Sequence, residues 1–210
     1  MARSTTITLK KNWKRTWNSS LQRAQIIVGS VLITIISCLL PFFFKLIEKR
    51  QGATLNDWVL NAIAPHDVSW IIFTIIWGMI CYGLWLGIQK PTIYINFVWS
   101  LIFILILRVL AISLVPLDPP RNLIVLTDPL TGIFYGRSTI TKDLFFSGHT
   151  SILFLIFLCL ERKTDKIIAL LATISVACLL LVQHAHYTID IVMAPIATYG
   201  VYLFVRYLLK

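Results

Sequence analysis

The chain has 210 residues, of which 58% are apolar and 13% charged, and its formal net charge is +10. A soluble domain is about a quarter charged, and here the apolar residues come in long uninterrupted blocks, which excludes an ordinary soluble enzyme. No soluble stretch is long enough for a nucleic-acid-binding domain, so the positive charge points to a membrane surface.

Arg3, Lys10, Lys11, Lys14, Arg15 and Arg23 precede the first apolar block, and Trp13, Trp17 and Leu21 recur every four residues among them. This predicts a basic amphipathic segment over residues 1–24, lying in the headgroup layer ahead of a membrane domain over 25–210. The long basic region and the lack of a small-x-small site predict an uncleaved anchor.

Three blocks, 24–44, 68–89 and 167–189, hold 21, 22 and 23 residues without Asp, Glu, Lys or Arg. About 20 apolar helical residues cross a bilayer core. Three further blocks are interrupted: 91–107 ends at Arg108, 144–160 contains His149, and 191–205 follows Asp190. The expected fold is therefore all-α, a polytopic bundle of six transmembrane helices. The spans fall near 25–46, 69–89, 94–117, 144–161, 166–185 and 187–208. Cys38, Cys81, Cys159 and Cys178 all lie within apolar blocks, with neither metal-ligand spacing nor a disulfide pattern; they read as packing residues. No metal or cofactor is expected.

Between spans one and two, Leu55-Asn56-Asp57-Trp58 predicts a short interfacial helix before Pro65. Between spans three and four, Pro116, Pro119, Pro120, Pro129, Gly132 and Gly136 preclude a continuous helix. With six spans both termini share a side. That side collects twelve Lys and Arg residues against six on the other, so the termini are expected in the cytoplasm and the Pro/Gly-rich loop outside.

This topology brings His149, His186 and Asp190 to the outer face. On a helix, residues four apart share a face, so Asp190 can hold one imidazole nitrogen of His186 and leave the other as a nucleophile. His149 can protonate a leaving alkoxide. Ser147, Gly148 and the backbone N–H groups of that helix start suit a phosphate. Arg108 is too costly to face lipid and should point inward as a phosphate fork. Lys142 and His184 are further candidate phosphate or substrate contacts. Arg121 and Arg137 read as solvated loop charges.

At these residues the chain resembles the sphingomyelin synthases, within the type 2 phosphatidic acid phosphatases. Asp143-Leu144-Phe145-Phe146-Ser147-Gly148-His149-Thr150 is similar to their third signature. His184-Ala185-His186-Tyr187-Thr188-Ile189-Asp190 is similar to their fourth. The stretch 108–120 matches the second loosely, and Leu55-Asn56-Asp57 is a trace of the first. The likeness covers roughly residues 50–205. It implies attack of His186 on phosphorus, a phosphohistidine-type intermediate, and His149 as acid and base. The implied partners are a phospholipid donor and a lipid-alcohol acceptor within the bilayer, with a homo-oligomer compatible. The alternative is a hydrolase using water, either a lipid phosphate phosphatase or a phospholipase C-like enzyme. Thr141-Lys142 stands where the synthases have Cys-Gly. Leu179-Leu180 stands where the phosphatases have Ser-Arg.

Overall fold

A computed structural model describes residues 12–127 and 140–210. The expectations placed on Arg3, Lys10, Lys11, Pro129, Gly132, Gly136 and Arg137 lie outside the described residues. Within them the chain is helical: α1 (12–18), α2 (Ser20–Ile47), α3 (Trp58–Asn61), α4 (Ser69–Gln89), α5 (Pro91–Leu114), α6 (Gly148–Cys159), α7 (Lys163–Val182) and α8 (Thr188–Leu208). Five of these, α2, α4, α5, α7 and α8, are long and apolar enough to cross a membrane. The fold is that of an integral multi-pass membrane protein.

Local chemistry explains where the helices start. Ser19 caps α2 by accepting from Gln22 N, and Pro91 stands at the first turn of α5, where its missing N–H costs nothing. Asp67 accepts from both the backbone and the hydroxyl of Ser69 at the start of α4. The interfacial helix forms as α3, with Asp57 as its cap and Trp58 84% exposed, as suits a residue at headgroup level. Trp13 of α1 donates to the Ile88 carbonyl at the far end of α4, while Trp17 and Leu21 stay exposed.

The expected fourth span differs. Its helix begins at Gly148, four residues later than predicted, and runs for 12 residues, about 18 Å against a bilayer core of about 30 Å. It is the central helix, packed against α4, α5, α7 and α8, with Leu153 and Leu155 fully buried. Protein, rather than lipid, surrounds it, and irregular backbone is tolerated at membrane depth under that condition.

The connecting stretches 48–68, 115–127, 140–147 and 183–187 all lie at one end of the bundle. There Arg50 donates to the carbonyls of Ile112 (2.5 Å) and Ser113 (3.4 Å), capping the C-terminus of α5. Ala53 and Leu117 form an isolated parallel bridge. A Cβ on the adjacent Gly52 would fall 2.5 Å from the Leu117 carbonyl carbon. Backbone cannot yield there as a side chain does, so Gly52→Ala is expected to destabilise the chain by about 1–3 kcal/mol. The check is the unfolding midpoint of the purified protein in detergent. An unchanged midpoint would mean that this loop contact does not hold the fold.

Candidate functional site

The polar cluster is assembled where loop 140–147 meets the start of α8. Asp190 is the third residue of α8 and is 1% exposed. Because α8 begins at Thr188, His186 stands in the turn before the helix and not on its face. The expected pairing with Asp190 forms by a different route. Asp190 reaches back over the helix start, so that Oδ2 accepts from Tyr187 N at 3.1 Å and lies 3.3 Å from His186 Nδ1. Oδ1 accepts from Phe145 N at 3.1 Å, and the Asp190 carbonyl accepts from Ser147 N at 3.1 Å.

Those two bonds explain the late start of α6. Phe145 and Phe146 have φ of 79° and 138°, a region bulky residues rarely adopt. Each such residue stores roughly 1–3 kcal/mol of strain. The strain is held by Asp190 on one side and by the α6 cap on the other, where Ser147 Oγ accepts from Thr150 N at 3.3 Å. The Ser147 hydroxyl oxygen thus caps the helix.

His149, the second residue of α6, sits with its ring centroid 6.3 Å from that of His186 and 5.9 Å from that of Phe73, both edge-on. Its Nδ1 is buried without a hydrogen-bond partner. A buried polar atom left unpaired in this way calls for a partner that the protein itself does not supply. Arg108, 7% exposed, reaches the same place from α5. Its guanidinium bonds the Asp143 carboxylate and lies 5.7 Å over the Phe146 ring. A Cβ on Gly148 would fall 1.5 Å from Arg108 Nη1, so only glycine admits the guanidinium in this position.

The structure therefore brings His149, His186, Asp190, Arg108 and Gly148 together. Lys142 and His184 are placed differently. Lys142 Nζ pairs with Asp118 at 2.7 Å and donates to the Arg50 carbonyl, while its own N–H goes to Glu48. His184, at φ 53°, sets its ring nitrogens against the carbonyls of Arg121 (3.2 Å) and Ile63 (2.9 Å). Both side chains brace loops. Among the described residues no group of three or more His, Cys, Asp or Glu is arranged to hold a metal ion.

Asp57 is the residue whose part in this site sequence reading passed over. Its carboxylate accepts from Val59 N and Leu60 N, capping α3, and also from Thr188 N at 2.6 Å and Thr188 Oγ1 at 3.0 Å. It thereby fixes the start of α8 two residues after His186. The capping pattern is visible locally, but its second partner lies 131 positions away. Burial alone would raise the Asp57 pKa, yet the hydrogen bonds from Thr188, Leu60 and Val59 outweigh it and hold the carboxyl below its ordinary 3.8.

Residues 142–207 match the family described as PAP2 superfamily C-terminal. The chain matches no curated protein. The family match supports the type 2 phosphatidic acid phosphatase superfamily, whose members are phosphatases and phosphotransferases acting on lipid phosphates in membranes. The matched stretch includes His149, His186 and Asp190 and leaves out Asp57 and Arg108.

Two outcomes follow from this geometry. Gly148→Ala should displace the end of Arg108 from its nearly buried pairing with Asp143 and lower the unfolding midpoint; an unchanged midpoint would show that the Arg108 position is immaterial to the fold. For Asp57→Asn, a depressed folded pKa means the carboxylate stabilises the fold above its unfolded value of 3.8, and this stability is lost as pH falls through the folded value. The wild type should therefore be the more stable protein near neutral pH, with the gap closing in acid. Unfolding midpoints measured against pH read this directly.

Proposed function

We propose that the chain is a membrane enzyme that moves a phospho-head-group from one lipid to another, with His186 as the nucleophile. The observation that carries this reading is the buried pair of His186 and Asp190, with a second histidine ring 6.3 Å away. A carboxylate on Nδ1–H orients the imidazole and leaves the lone pair of Nε2 free to attack. As Nε2 bonds to phosphorus, the bond from phosphorus to the donor lipid's alkoxide breaks, and protonated His149 gives its proton to the leaving oxygen. An acceptor alcohol then attacks the phosphohistidine and passes its proton to His149, and His186 leaves. Arg108 holds the non-bridging oxygens through both transfers. Ser147 and Gly148 set the position of His149 and Arg108, and Lys142 and His184 hold the surrounding loops.

Charge favours a phosphodiester donor. Among the described residues lining the cavity beside the cluster, Arg108 is the one Lys or Arg, and Asp143 offsets it. A site so balanced suits a singly charged phosphodiester better than a doubly charged monoester. On this reading residues 1–24 form the surface-bound basic segment and 25–210 the catalytic bundle. Both termini are cytoplasmic and the site is at the outer face, as the excess of Lys and Arg on the terminal side supports.

The test uses the purified full chain in liposomes of phosphatidylcholine, with and without a lipid alcohol whose product is distinguishable from the donor, such as ceramide or a diacylglycerol with isotope-labelled acyl chains. New phospholipid should form only with the acceptor. Head-group release at the same rate without acceptor would instead make the protein a hydrolase. His149→Ala should lower turnover by about 10²–10⁴-fold, and His186→Ala by more, since the nucleophile itself is gone. Turnover that survives His186→Ala overturns the covalent mechanism.

A further inference from the structure

A cavity of about 250 Å³ adjoins the cluster. Arg108, Asp143, Gly148 and His149 form its polar end, and apolar side chains of α2, α4, α5 and α6 form the rest. Helix α2 packs chiefly along α5. A second, smaller cavity of about 30 Å³ continues along α4 toward the opposite end of the bundle, beside Gly83, Gly87 and Phe97. Ile80 lines both cavities.

The dimensions decide what such a seam can hold. Phe73 to Ile80 is two turns of α4, about 10 Å at 1.5 Å per residue. A hydrocarbon chain within one leaflet covers about 15 Å, half of the bilayer core. The upper cavity therefore takes only the first part of such a chain, and the remainder must pass Ile80. The two glycines of the lower cavity fit this use. Glycine weakens a helix interior relative to alanine, and neither position needs it for packing. A Cβ on Gly83 would meet Ile156 at 3.6 Å and one on Gly87 would meet Tyr94 at 3.7 Å, both ordinary contact distances.

We propose that the two cavities form one seam for the hydrocarbon chain of the lipid substrate, and that Ile80 sets the chain length it accepts. The assignment of the chain to a substrate rests on the function proposed above. The polar end receives the phosphate and the seam receives the chain, so head and tail are selected by separate residues.

The experiment compares turnover of phosphatidylcholines bearing octanoyl, dodecanoyl and palmitoyl chains. Ile80→Trp should lower the palmitoyl-to-octanoyl ratio of kcat/KM by about tenfold, and Ile80→Ala should raise it. Gly83→Leu, which fills the lower cavity from the same helix one turn beyond Ile80, should act like Ile80→Trp and guards against a misfolded tryptophan variant. Ratios equal to the wild type's in all three overturn the seam. A palmitoyl phosphatidylcholine with a diazirine at its chain end gives a readout independent of turnover. It should label Phe97 or Ile156, and Gly83→Leu should abolish that label. Label confined to the lipid-facing sides of α2 and α8 overturns the seam, whereas seam label without turnover of any lipid refutes the proposed function alone.

Discussion

The structure turns on one buried carboxylate. Asp190 lies in a membrane bundle, where an unpaired charge is expensive, and both carboxylate oxygens and its backbone carbonyl accept hydrogen bonds. One oxygen takes Tyr187 N and faces His186, the other takes Phe145 N, and the backbone carbonyl takes Ser147 N. Removing any of these would leave the charge under-satisfied, so its surroundings are constrained together. The orientation of His186, the left-handed backbone at Phe145 and Phe146, and the late start of α6 all follow from it.

A second set of contacts keeps that arrangement in place from outside. Asp57 joins α3 to the first residue of α8, and Gln183 ties the end of α7 to the start of α4 through Val68 N (3.2 Å) and Ser69 Oγ (2.5 Å). Glu48 holds the backbone of Thr141 and Lys142, and Lys142 reaches Asp118. The connections at this end are irregular, yet among the described residues several of their polar groups are paired with one another. That pairing lets non-helical backbone sit against a cluster with an unpartnered His149 nitrogen and a nearly buried Arg108. On the proposed reading the rigid loops position the phosphorus chemistry, while the apolar helices beneath position the lipid.

Much of this was legible in the residues. Long uncharged blocks determine membrane helices because lipid tolerates no unpaired backbone, and α2, α4, α5, α7 and α8 appear close to where the blocks predict them. The polar interruptions Arg108, His149 and Asp190 stand out against such blocks, and topology alone places them at one end. The family resemblance in 143–150 and 184–190 falls within the stretch that matches the superfamily.

Tertiary structure decided the details that depend on partners far away in the chain. The start of α8 is set by Asp57, which accepts from Thr188 N, and the loop that leads into α6 is held by Asp190 through Phe145 N and Ser147 N, partners that local sequence cannot pair with their targets. The same reason separates Lys142 and His184 from the cluster: their side chains met carbonyls and a carboxylate in the folded loops before any ligand. The sequence by itself determined which segments enter the membrane and which residue types could do chemistry there, because burial energy depends on composition over a run. Only the folded chain decided which of those residues meet, because each hydrogen bond joins two atoms whose distance no run of sequence contains.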